Sequence, residues 1–263
     1  MTSRTRRELI VALLVAILSV ASLHPVAAQS HDQKILADAR NSYSLLKRQG
    51  LLEVKASVVP NWAAMFKNVP VRDRTKIIRM ASPLRFTMLA DASGNINVTH
   101  EMVGSKPKAS PSQALDDIAR GVDLSITGFL MTWAPFMLTY LIPENLDQFV
   151  LQELESKRVL TFKQGAVEVS VTMSKDFEIS ELNTPQGSVR PVLKRDGDGF
   201  VLTGYDANNE DPLGGKVIVK ARIELAPVQG MLLPKALFIS GSSRQTPLNF
   251  EYHFINYRLK RRN

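Results

Sequence analysis

The sequence predicts an α+β protein, a curved antiparallel sheet with helices packed on one face, and three observations lead there. The first is the long apolar run Gly121–Pro143 (GVDLSITGFLMTWAPFMLTYLIP), in which Ser125, Gly128, Thr132, Pro135 and Thr139 fall three and four apart as one narrow seam. A helix apolar around the rest of its circumference is buried somewhere. The second is a change of period after Val159, where Val167, Val169, Val171 and Met173 alternate with polar residues. The third is the punctuation by Gly165, Asp196-Gly197-Asp198-Gly199, Gly214-Gly215 and Gly241, which cuts that half into short strands of an antiparallel meander.

In chain order, Arg4, Arg6 and Arg7 precede an apolar stretch Leu9–Leu23 and the small residues Val26-Ala27-Ala28. This reads as an export signal over residues 1–28, with cleavage before Gln29. The paired arginines also suit twin-arginine export, but the general route is favoured. Pro25 argues against an uncleaved anchor. Residues 29–263 then make one domain with a helical insertion at about 112–157, and a bacterial periplasm is the expected location.

Ser30–Gln49 reads as an amphipathic helix, with Ser30 and Gln33 as a capping box, Ile35, Leu36, Ala39, Tyr43 and Leu46 on one face, and Gly50 after its end. Leu51–Val59 is strand-like and Asn61–Val71 irregular. Arg74–Met80 reads as a β-run, and Leu84–Ala90 pairs with Asn95–Val103 through the turn Asp91-Ala92-Ser93-Gly94. Lys106–Ser112 is a linker, and a short helical segment Ser112–Arg120 leads into the apolar run. Glu144–Lys157 reads as a polar helix burying Leu146, Phe149, Val150 and Leu154. Phe200–Tyr205, Lys216–Leu225, Ala236–Ser240 and Phe250–Leu259 are strands; the last carries an aromatic face with a slip near Ile255 that marks a bulge.

Composition narrows the chemistry. The chain has no cysteine, so there is no disulfide framework, lipid-attachment thiol or thiolate nucleophile. The net charge of +8 is scattered; it suits anionic membrane surfaces, and nucleic acid is not expected as a partner. Arg258, Lys260, Arg261 and Arg262 read as a solvated tail, with a lipid headgroup contact as the rival. His31, His100 and His253 have no metal-ligand spacing, and His100 and Glu101 point to opposite faces of a strand, so all three read as structural. Ser44-Leu45-Leu46-Lys47 spells S-x-x-K on an ordinary helix, without the K-T-G partner that would give it meaning. Asp206–Asp211 imitates a calcium loop for three alternate positions, then fails at Asp211 and Val217 and reads as an acidic hairpin loop. No catalytic residue, metal or cofactor is expected.

The ending Leu233-Pro234-Lys235-Ala236-Leu237-Phe238-Ile239, followed by Phe250-Glu251-Tyr252-His253-Phe254-Ile255-Asn256-Tyr257-Arg258-Leu259, resembles the closing hairpin of the LolA/LolB-like lipoprotein-carrier superfamily of the bacterial envelope. The exported helix leading into a first strand is similar too. The resemblance implies an incomplete β-barrel with helices packed in or over its concave face, and an apolar cavity for acyl chains. Gly121–Ile142 would then be the plug.

The expected function is therefore a non-enzymatic binding or carrier protein for a lipid or acyl chain, with a membrane surface or an envelope protein as further partner. Phe129, Met131, Trp133, Phe136, Met137 and Tyr140 are the expected cavity wall, with Met65, Phe66, Met88 and Met102 as further lining. Thioethers and aromatic faces suit them to flexible chains. The rival roles for the apolar run are a plain core helix and a membrane-inserted one. The rival functions are a structural envelope protein that offers its apolar helix or sheet edge to a membrane complex, and a hydrolase of unrecognised type.

Overall fold

The computed structural model describes residues 26–104, 112–146, 148–197, 199–210, 215–243 and 246–262. The export segment up to residue 25 and most of the Lys106–Ser112 linker lie outside the described residues. The chain divides after Ala39 into two units. A first helix, α1, runs Val26–Asn41. Ser30 lies inside it and so does not cap it, and the helix stops well before Gln49.

Within the unit that begins at Arg40, the reason for the early stop is visible. The backbone after Asn41 is taken by other partners: Ser44 N–H donates to Phe200 O at 3.0 Å, Phe200 N–H to Ser42 O at 2.7 Å, and Leu46 N–H to Met137 O at 2.8 Å. Gly199 is what admits so close an approach, because a Cβ there would stand 2.3 Å from Ser44 Oγ.

Among the described residues twelve strands follow: β1 Leu51–Pro60, β2 Leu84–Asp91, β3 Ile96–Met102, β4 Phe149–Glu153, β5 Lys157–Gln164 and β6 Val167–Ser174. The rest are β7 Ile179–Thr184, β8 Gly187–Asp196, β9 Gly199–Glu210, β10 Lys216–Val228, β11 Met231–Ser243 and β12 Thr246–Arg261. They form one antiparallel sheet in the order β3-β2-β1-β12-β11-β10-β9-β8-β7-β6-β5-β4. The β4–β12 half is an uninterrupted meander, and β1 pairs with β12 to join it to the β1–β3 half. The sheet is open and curved, with β3 and β4 as its edges.

The expected α+β class, with helices packed in or over the concave face, gives way to a predominantly β protein. Among the described residues there are only four helices: α1, α2 Trp62–Met65, α3 Val71–Ala81 and α4 Ser112–Met137. Two local expectations reverse with it. Arg74–Met80, expected as a β-run, lies inside the helix α3. Arg74 fixes the start of that helix by donating from its guanidinium to Lys67 O and Val69 O at 2.6 and 2.9 Å. Glu144–Lys157 is not a helix but leads into β4, whose Phe149 and Leu151 pair with Phe162 and Leu160 of β5. The three-and-four spacing of its apolar residues was outweighed by cross-strand pairing and by the Glu153 carboxylate, which receives Arg158 and Lys175 at 3.2 and 3.1 Å.

Other readings hold. The Asp91–Gly94 turn joins β2 to β3, with Gly94 at φ +90° and the Asp91 carboxylate accepting from Ser93 N–H, Asn95 N–H and Asn95 Nδ2 at 2.8, 3.0 and 2.7 Å. Burial raises that carboxyl's pKa, but these bonds outweigh it and leave it below the ordinary aspartate value. On β12 the register slips between Ile255 and Arg258, with Asn256 at φ +55°. That bulge brings Tyr257 and Leu259 back to the side of Phe250, Tyr252 and Phe254. The Tyr257 hydroxyl donates to Pro234 O, and burial pushes its pKa up.

Candidate functional site

The helix α4 is shaped by one buried stripe: Leu115, Ala119, Val122, Ile126, Phe129, Leu130, Trp133, Phe136 and Met137 recur at three- and four-residue steps and are all buried. The opposite side reaches solvent at Leu124 and Met131. Pro135 cannot donate to Met131, but it sits in the last turn, and Leu138 N–H and Thr139 N–H both return to Ala134 O at 2.8 and 2.9 Å to close the end.

Against the sheet, the Phe129 ring lies 5.8 Å from Phe254 on β12 and 6.2 Å from Trp133. The Met137 sulfur receives Leu202 N–H of β9 at 3.5 Å. Phe136 meets the ring of Tyr43 at 6.1 Å. The Tyr43 hydroxyl donates to Phe177 O and accepts from Ile179 N–H, both at 3.0 Å.

Of the residues expected to line a cavity, Phe129, Trp133, Phe136, Met137 and Met88 are buried in the interior. The others fall elsewhere. Met131 is 65% exposed, on the outward side of the helix. Tyr140 lies beyond the end of α4, beneath the cations of Lys47 and Arg48 at 5.2 and 5.5 Å from its ring. Met65 and Phe66 are half-buried around α2, with Phe66 stacked on Trp62 at 6.1 Å, and Met102 is half-buried at the end of β3.

Every buried side chain among the described residues is apolar or aromatic. Three polar atoms are nevertheless buried there without a hydrogen-bond partner: Trp133 Nε1, the Tyr252 hydroxyl and Asp123 Oδ1. Trp133 and Tyr252 are both 0% exposed. The Tyr252 hydroxyl stands beside Ser125 and feels the Asp123 charge; burial drives its pKa up. Buried polar atoms are nearly always paired, so a buried donor without a partner such as Trp133 Nε1 is unusual. On β9, burial raises the pKa of Tyr205 to about 12 against the opposing effect of the Thr132 hydroxyl on α4.

At the rim of this interior, His100 Nδ1 on β3 meets Asp123 Oδ2 on α4 at 2.6 Å. Sequence reasoning missed the pair because the two residues are far apart along the chain and only the docking of α4 on β3 joins them. His253 Nε2 lies 3.1 Å from Glu251 Oε1. No cluster of three metal-binding side chains occurs among the described residues. Ser44 of the S-x-x-K motif lies beyond α1 rather than on it, and its hydroxyl donates to Asp196 O at 3.4 Å. Asp206–Glu210, expected as a loop, belongs to β9. No described helix is long and apolar enough to cross a membrane.

A second site lies on the other side of the sheet. Strand pairing sets Lys220, Ser240 and Asn249 in one row and Arg222, Phe238 and Glu251 in the next. Paired residues share a face, so both rows oppose Ala221, Ile223, Leu237 and Tyr252. With Ala64 and Lys67 beside α2, they line an open groove of about 360 Å³. The Arg222 guanidinium lies over the Phe238 ring at 4.4 Å. Finding this groove from sequence requires the register of three strands, which spacing alone does not supply.

No family model matches the chain, and neither a curated protein nor a solved structure matches it.

Proposed function

We propose that this is a non-enzymatic binding or carrier protein for a lipid or acylated molecule, exported to the bacterial periplasm. The observation that carries the proposal is the fully buried Trp133 Nε1, a donor without a hydrogen-bond partner in an interior otherwise built of apolar side chains, where the buried Tyr252 hydroxyl has the Ser125 side chain beside it. A wholly packed core has no use for such a donor, since it costs about 1–3 kcal/mol when left unpaired. An ester or carboxyl oxygen on an otherwise greasy molecule would satisfy it. The buried thioethers of Met88 and Met137 adapt to a flexible chain without a fixed polar pattern. Each methylene withdrawn from water contributes about 0.8 kcal/mol, so a long acyl chain gains on the order of 10 kcal/mol before ordering costs.

Entry needs α4 to separate from the sheet. Its hold at the β3 end is the His100–Asp123 pair, whose side chains are 37% and 22% exposed. A partly solvated pair of this kind is a weak tie. The resemblance to envelope lipoprotein carriers agrees with this reading. Native mass spectrometry of the protein purified without detergent tests it. A co-purifying mass that extracts into organic solvent as a lipid is the expected result. A clean protein mass, unchanged after incubation with envelope lipids, would sink the proposal.

A further inference from the structure

We infer that the groove beside α2 and across β10–β12 is a binding site for a single-chain anionic amphiphile, an acyl chain ending in a carboxylate or phosphate. The groove lies opposite the α4 interior, so the inference stands whether or not that interior takes a ligand.

Three features set the ligand's class. The first is an apolar lining on what is otherwise a solvent-facing surface. Phe238 is half-buried and Ala64 stands beside it, while Ile239 and Phe250, paired with Ala221, border the groove from the strand positions that turn their side chains to the inner face. The second is charge. Lys67, Lys220 and Arg222 border the groove against the lone carboxylate of Glu251, which is already engaged by His253 at 3.1 Å. Neither sheet cation is committed to a strong ion pair: Lys220 Nζ is 3.9 Å from Asp206 and 72% exposed, and Arg222 is 3.5 Å from Glu224 and 67% exposed. Pairs this exposed contribute little and exchange readily for a better partner. The third is preorganisation. The Phe238 ring beneath Arg222 steadies the guanidinium, so less freedom is lost when an anion binds its edge.

Size selects within that class. About 360 Å³ is near the lower end of ligand sites, which run from roughly 300 to 1,000 Å³. It suits one short chain rather than a two-chain lipid. The Phe238 ring separates the site from a simple phosphate patch, and the cations separate it from a neutral detergent slot.

The test is calorimetric titration of the full chain with dodecyl phosphate below its micelle concentration, beside dodecyl maltoside, dodecyl trimethylammonium and inorganic phosphate. Dodecyl phosphate should bind best. The double variant Lys220→Ala/Arg222→Ala should weaken it by roughly tenfold per cation removed. Phe238→Ala should weaken it as well, while Lys163→Ala, an exposed change on β5, should leave it unaltered. Equal affinity for the neutral or cationic detergent would overturn the inference. So would unchanged binding in the double variant, which would place the amphiphile elsewhere. Inorganic phosphate binding as tightly as dodecyl phosphate would reduce the groove to a plain anion site and overturn the amphiphile assignment.

Discussion

The two faces of β10–β12 differ in chemistry although they alternate residue by residue along the same strands. Ala221, Ile223, Leu237 and Tyr252 face inward and are buried, whereas Lys220, Arg222, Phe238 and Glu251 face outward and border an open groove. The inner face makes its contacts with α4 through rings, and its polar atoms are few. The outer face carries charges in loose, exposed pairs. The difference teaches where each kind of energy resides. The inner face sets stability, and any ligand there must compete with packing. The outer face contributes little to stability, and a ligand there need only displace water and weak ion pairs.

The largest expected effect is on the inner face. Trp133→Ala removes a fully buried ring packed on Phe129 and should cost about 3–5 kcal/mol of unfolding free energy, read by urea denaturation. A loss below about 1 kcal/mol would mean that α4 is not part of the cooperative core.

Alkaline pH attacks the same face through its phenols. Burial raises the pKa of Tyr205 from 10.0 to about 12, and those of Tyr43, Tyr252 and Tyr257 also upward. A raised folded value stabilises the protein fully below the unfolded value, and that stability is lost as pH climbs through the folded one. Stability should therefore be flat up to about pH 10 and fall between 10 and 12, with tyrosinate absorbance rising together with unfolding. Ionisation of these tyrosines near pH 10 in the folded protein would contradict their burial.

The smallest effect belongs to the outer face. Lys220→Ala/Arg222→Ala should change unfolding free energy by less than about 0.5 kcal/mol per substitution, as exposed substitutions do. A larger loss would make that face part of the core rather than a surface for ligands.

Much of the sheet was legible in the sequence because alternation and turn residues act locally. The Asp91–Gly94 hairpin, the β9–β12 meander and the bulge near Ile255 each follow from a few adjacent residues. The fold class was not. Arg74–Met80 reads as a strand until Arg74 is seen binding back to Lys67 and Val69, and Glu144–Lys157 reads as a helix until β5 is laid beside β4. In both places tertiary partners overrode local pattern. A buried helix over Gly121–Ile142 is what the sequence leads one to expect, but as one apolar nearly all round rather than one buried stripe with Leu124 and Met131 facing outward. Nor could spacing reveal the His100–Asp123 contact or the paired rows of the outer groove, which join residues from separate elements.

The central claim is that the buried donors of the α4 interior, Trp133 Nε1 and the Tyr252 hydroxyl, mark a ligand site rather than a flaw in a core. The most direct measurement is thermal unfolding of the wild type and of Trp133→Phe/Tyr252→Phe, each with and without a long-chain fatty acid. If the donors serve a ligand, the acid stabilises the wild type, by about 2.7 kcal/mol at a hundredfold excess over its dissociation constant, and most of that gain disappears in the variant. If the variant is simply more stable and the acid shifts neither protein, the interior is a core, and the claim is wrong.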